Sequence, residues 1–163
     1  MSVTAWRITK QKHAKSAFSG QSARLYGGRW NSPGAAMIYT AQSQSLAALE
    51  MLVHLDSSEL LRRYILFEVG INESFITRVE MSQLPRNWKA DPAPLKLRTI
   101  GDEWAVVGAS AVLSVPSAVV PGENNFLLNP RHRDFPKLRI GNALPFRFDP
   151  RLAESYGGRR PPD

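Results

Sequence analysis

Arg29, Tyr39 and Glu50 fall ten and then eleven residues apart in one continuous run, ARLYGGRWNSPGAAMIYTAQSQSLAALEMLVHL. A guanidinium, a phenol and a carboxylate at such close quarters are parts from which a site for an anionic, sugar-containing ligand can be built. Gly27-Gly28 permits a tight turn or a close backbone approach just before Arg29. A planar guanidinium beside exposed amides suits bidentate recognition of phosphate oxygens. Glu50 interrupts a stretch that is otherwise almost wholly apolar, and an ionised carboxylate buried there is costly unless it is paired or hydrogen-bonded. Two readings of it stand: a structural ion pair with a neighbouring arginine, or a site carboxylate whose ionisation is set by its surroundings. Tyr39 is either a core aromatic with a satisfied hydroxyl or a stacking platform for a planar ring.

Other candidates are spread along the chain. Arg7 sits between Trp6 and Ile8, so it either snorkels from a strand edge or points into a pocket. Ser114 and Ser117 flank Pro116, but neither lies in a Gly-x-Ser-x-Gly elbow or a Ser-x-x-Lys pair, which favours hydrogen bonding over nucleophilic attack. Asn124, Asn125 and Asn129 are good turn residues. His54 has no second ligand at metal-binding spacing, so no metal is expected.

The elements that must position these groups can be read from the pattern. TAWRIT at 4–9 alternates as a short strand, and 10–23 is polar enough for a loop. Ser32-Pro33-Gly34 makes a turn before a second strand, AMIYTA at 36–41. A helix follows from Ser45, with Ser43 or Ser45 as N-cap, and its nearly all-round apolar surface predicts burial. RYILFEVGI at 63–71 is a scaffold strand, and 80–98 is a proline-punctuated connection with one helical turn near Met81 to Leu84. A short helix over Thr99 to Trp104 leads to strands around AVLSVP and Phe126 to Leu128; residues 138–140 and 145–148 close the sheet. The tail from Arg151 lacks apolar pattern and is expected to fray.

Length and composition bound the answer. The 163 residues, 43% hydrophobic, suffice for one domain, which we place at 1–150. There are no cysteines, which excludes disulfides, thiolate metal sites and cysteine nucleophiles. The N-terminus has no apolar h-region and no stretch is long enough to cross a bilayer, so a cytoplasmic chain is expected. The net charge of +7 invites a nucleic-acid reading, yet the basic residues are scattered and form no recognisable module.

Several separated motifs, in order, resemble those of RES-domain proteins, the toxin partners in Xre-type toxin–antitoxin pairs: AWRI, GGRWNSPG, IYTA, LAALEMLVHL, IGDEW, VPSAVVPGENNFLLNPRH and PFRFDPRL. The resemblance covers most of the chain. It matches the family's arginine, glutamate and serine to Arg29, Glu50 and Ser117, and its active-site tyrosine to Tyr39. Arg7 matches an N-terminal arginine facing the pocket, and Asn125 is expected beside it as a ligand-binding residue. The resemblance implies an α+β fold like that of ADP-ribosyltransferases: a single mixed α/β domain with two small sheets flanked by helices around an NAD cleft. It implies NAD as substrate without a metal, split at the nicotinamide–ribose bond with water or phosphate as acceptor, or alternatively used to ADP-ribosylate a protein. It also implies an Xre-type helix-turn-helix antitoxin as partner in a hetero-oligomer, with DNA bound only through that antitoxin.

Overall fold

The computed structural model describes residues 1–157. Strand β1 (Ser2–Lys10) runs through a 3-10 turn at Gln11–Ser16 to helix α1 (Gln21–Tyr26), then to β2 (Ile38–Ala41) and helix α2 (Gln44–Leu52). Helix α3 (Ser57–Leu60) precedes the long strand β3 (Tyr64–Asn72) and the short β4 (Ile76–Arg78). Helix α4 (Leu95–Val107) leads into the hairpin partners β5 (Val112–Pro116) and β6 (Asn124–Leu128). Two short strands, β7 (Arg139–Ile140) and β8 (Leu144–Phe146), and helix α5 (Pro150–Gly157) finish the described chain.

The strands form one hydrogen-bonded sheet of eight, in the order β4-β5-β6-β2-β1-β3-β7, with β8 also on β3. Among the described residues only β4 and β5 pair in parallel. The expected mixed α/β domain is present, but the expected two small sheets are joined. β1 and β2 share a single register pair, Trp6 with Ala41, whereas β1 and β3 are paired along their whole length. The sheet is therefore two well-paired halves linked at one narrow waist.

Period-two alternation sorts the sheet into two faces. One carries Ala5, Ile38, Val69, Ile71, Val112, Phe126 and Leu128, which pack together. The opposite face carries Ala41 beneath α2, in a cluster with Ile8, Leu46, Ala47 and Leu52. It also carries Leu113, Val115 and Leu127 beneath α4, in a cluster with Trp30, Leu97 and Trp104. Helices α2 and α4 thus cover adjacent parts of one face, and of the residues expected to do chemistry Glu50 lies on α2.

Four local expectations change. The polar run at 10–23 contains a 3-10 turn and α1 rather than a plain loop; neither buries a residue, so neither leaves an apolar period to read. Helix α2 is capped by Ser43, whose Oγ accepts from Leu46 N, but it is not buried all round: Leu49 is 40% and Val53 56% exposed. Helix α4 begins at Leu95, four residues before the expected start, directly after Pro94. The tail does not fray at Arg151: α5 forms there, begun by Asp149, whose Oδ1 accepts from Arg151 N. Leu152 and Ala153 pack on the cluster beneath α2. The last part of the tail, 158–163, lies outside the described residues. No helix among the described residues is long and apolar enough to cross a membrane.

Candidate functional site

Glu50 is the centre of the best-formed polar group on the α2 side of the sheet. It lies half-exposed on α2, and its Oε1 accepts from Asn125 Nδ2 at 2.7 Å and from Ser117 Oγ at 3.2 Å. Among the described residues Glu50 forms no ion pair with an arginine, so the first of its two readings finds no partner. Two donors on one oxygen fix the carboxylate's rotation and leave Oε2 outside both bonds.

Each partner is itself held. Asn125 lies on β6, opposite Ala41 on β2 and Val115 on β5, so it rises from the middle of the sheet. Its Oδ1 is buried and has no hydrogen-bond partner. A buried amide oxygen of this kind is an acceptor waiting for a donor. Ser117 is 1% exposed just beyond β5, where Pro116 ends the strand; its Oγ accepts from Val119 N and Val120 N while donating to Glu50. This serine caps the turn that follows it and orients the carboxylate at once. Ser117→Ala is therefore expected to lower stability by about 1–3 kcal/mol through two orphaned N–H groups, read by urea unfolding. Ser117→Thr, which keeps the hydroxyl, should recover part of that loss.

Tyr39 and Arg29 form a second group. The Tyr39 hydroxyl donates to Asn31 Oδ1 at 2.7 Å and accepts from Trp30 N at 3.1 Å. Burial raises the phenol's pKa, partly offset by the Trp30 hydrogen bond, so it stays a neutral O–H. Of the two readings of Tyr39, the satisfied-hydroxyl one describes its polar end. Gly28 is needed here because a Cβ would strike the Tyr39 hydroxyl. Arg29 leaves this turn and donates from its two terminal nitrogens to Trp88 O at 3.0 Å and Ala90 O at 3.1 Å. Arg29 thus ties the proline-rich connection to the GGRWN turn while remaining half-exposed.

Arg7 stands apart from both groups. The register places Trp6 on the same face as Ala41, which puts Arg7 on the other face, opposite Phe67 on β3. Its Nε donates to Ala17 O and one terminal nitrogen to Tyr39 O, each at 2.8 Å. Burial lowers its pKa to about 10, so it remains charged near neutral pH. Its visible work is to brace β2 across the waist of the sheet, not to share the pocket face with Asn125.

Three residues outside the expected site set take part. Asn31 is fully buried and donates through Nδ2 to Ala23 O, Ser32 O and Ala35 O. From α4, Arg98 Nε donates to Gly28 O and Asp102 Oδ1 accepts from Ser32 N. An i, i+4 pair of opposite charges on a helix is the signal that was present. The scattered basic residues also partly converge: Lys10, Lys12, Arg62 and Arg63 line a hollow of about 440 Å³ where β1 ends beside the start of β3. No group of three or more metal-ligating side chains occurs among the described residues.

A family model described as the RES domain matches residues 4–149. The chain is 46% identical to a protein named Toxin Res from Yersinia enterocolitica, over 90% of this chain and 97% of that one. It is 37% identical to a Prs ADP-ribosylating toxin from a Sphingobium strain, over 93% of this chain and 98% of that one. In structure it is similar to a chain from the crystal structure of the M. tuberculosis MbcT-MbcA toxin-antitoxin complex. The TM-score is 0.73 at 19% identity, covering 96% of this chain and 89% of that one.

Proposed function

Because the chain belongs to the RES-domain family, we propose that it is the toxin of a toxin–antitoxin pair and that it degrades NAD by cleaving the nicotinamide–ribose bond. The observation that carries the chemical part is the convergence of Ser117 Oγ and Asn125 Nδ2 on one oxygen of Glu50, beside the unpartnered Asn125 Oδ1. A carboxylate held so rigidly is what an oxocarbenium-like transition state requires.

Breaking the bond sends its electron pair to the pyridinium nitrogen, which leaves as neutral nicotinamide. No strong general acid is needed. Positive charge builds on the ribose ring instead, and a preorganised carboxylate stabilises it where water is excluded. Glu50 Oε2 faces that charge or a ribose hydroxyl, and Asn125 Oδ1 accepts from a ribose hydroxyl. Arg29 holds the pyrophosphate, exchanging its carbonyl partners for charged oxygens that bind it more strongly. Arg7 supports the arrangement from behind by bracing β2, and the Tyr39 ring lies beside the ligand with its hydroxyl engaged in the turn. Water then adds to the ribose carbon and releases its proton to solvent, or phosphate adds through an ionised oxygen with no proton to release.

Incubating the purified chain with NAD should release nicotinamide catalytically and without added metal. No release at stoichiometric protein would sink the reading. The alternative, transfer of ADP-ribose to a protein, is favoured by the resemblance to the Prs ADP-ribosylating toxin. It predicts label from NAD in a macromolecule, with nicotinamide released only when that target is present. The partner we propose is an Xre-type helix-turn-helix antitoxin in a hetero-oligomer that carries the DNA contacts, and the chain's place of action is the cytoplasm.

A further inference from the structure

The geometry points to a cradle on α4, built from Arg98, Gly101 and Asp102, as the device that positions Arg29 for the ligand. The inference rests on the proposed function in so far as Arg29 is taken to hold the NAD pyrophosphate. Its structural core does not depend on that reading.

Positions 98, 101 and 102 are related by three and four residues and so share one face of the helix. That face meets alternate residues of the turn before β2. Arg98 Nε donates to Gly28 O at 3.1 Å, and Asp102 Oδ1 accepts from Ser32 N at 2.9 Å. Between them the absence of a side chain at Gly101 lets the helix touch the Trp30 carbonyl, which a Cβ would strike. The turn is therefore pinned at 28, 30 and 32. Arg29 lies inside the pinned stretch, and its guanidinium departs toward Trp88 O and Ala90 O.

Loops that carry binding groups gain precision when a regular element holds them on both sides. Neither Arg98 nor Asp102 forms an ion pair among the described residues, since the ion pairs there involve other residues. Arg98 Nε and Asp102 Oδ1 are instead engaged with the turn's backbone. Arg98 and Asp102 are thus positioning residues, acting on the ligand only through Arg29.

The test compares Asp102→Ala, Asp102→Asn, Arg29→Ala and the double variant Arg29→Ala with Asp102→Ala. Each is measured for KM and kcat with NAD, for thermal stability, and for the Arg29 Nε–H resonance in ligand-free protein, assigned by its loss in Arg29→Ala. Asp102→Ala should raise KM about tenfold with kcat little changed, the pattern of lost binding rather than lost chemistry. Asp102→Asn keeps an oxygen to accept from Ser32 N and should restore KM and the resonance position. In the Arg29→Ala background, Asp102→Ala should add nothing further to KM. Arg98→Met is the parallel variant should Asp102→Ala fail to fold.

Asp102→Ala that lowers only the melting temperature, with KM and the Arg29 resonance unmoved, overturns the inference. So does an Asp102 effect on KM that persists undiminished without Arg29. If Arg29→Ala itself leaves KM unchanged, the pyrophosphate assignment fails, and the ligand-free resonance alone decides whether α4 positions Arg29.

Discussion

Under the proposed function, Glu50→Gln is expected to abolish most NAD cleavage, lowering kcat by about 10²- to 10³-fold, the scale for removing one preorganised electrostatic group from a transition state. The glutamine is nearly isosteric, and its carbonyl oxygen can still accept from Ser117 Oγ and Asn125 Nδ2, which now meet Glu50 Oε1. The amide nitrogen then falls where Oε2 was, replacing a negative charge by a neutral donor where the proposed mechanism needs the charge. Folding should be almost unaffected, because both partners stay satisfied and Glu50 sits half-exposed. Glu50→Ala separates the two roles differently. It strands Asn125 Nδ2 beside the already unpartnered Oδ1, so it should also cost about 1–3 kcal/mol of stability. Steady-state nicotinamide release, together with urea unfolding of both variants, reads the difference. Wild-type kcat in Glu50→Gln would remove the carboxylate from the mechanism.

That contrast depends on information the sequence contains only in part. Glu50 was legible as an anomaly because a carboxylate interrupts an apolar run. What answers it was not legible, because Ser117 and Asn125 lie 67 and 75 residues away and reach it only through the register of β2, β6 and β5. Local signals survived well where they act within a few residues. Ser43 caps α2, and Pro116 ends β5 just before the site serine. Signals failed where an element owes its form to distant packing. The prolines that punctuate 80–98 mask the first turn of helix α4, which starts directly after Pro94, whereas its inner face is fixed by packing of Leu97 and Trp104 with Trp30. Tyr39 shows the limit of residue type alone: its ring suits either a core or a ligand, and only the turn it bonds decides what its hydroxyl does.

The same turn yields the largest stability effect. Asn31 is 0% exposed; its Nδ2 donates toward the carbonyls of Ala23, Ser32 and Ala35, and its Oδ1 accepts from the Tyr39 hydroxyl. Asn31→Asp keeps the volume and the acceptor for Tyr39 but turns the shared donor into an oxygen facing three carbonyls. An ionised carboxyl there is buried against three carbonyl oxygens, and a protonated one can serve one carbonyl at most. The expected loss is about 3–5 kcal/mol at neutral pH, the range for an uncompensated buried charge. Its pH dependence has a definite sign. The folded state raises the new carboxyl's pKa above its unfolded value of about 3.9, so the deficit is full above the raised folded pKa. As pH falls from there toward about 4, the folded state takes up the proton first and the deficit shrinks. Asn31→Ala also orphans the carbonyls, yet it introduces no titrating group, so its deficit should not track pH in that window. Urea unfolding of both variants between pH 4 and 7 distinguishes them, and equal, pH-independent losses would mean that the three carbonyls are not held by this amide. Because Asn31 ties down the turn that carries Arg29 through the carbonyls of Ala23, Ser32 and Ala35, and Arg29 is the residue proposed to hold the pyrophosphate, the aspartate variant should also lose NAD affinity at temperatures where it is still folded.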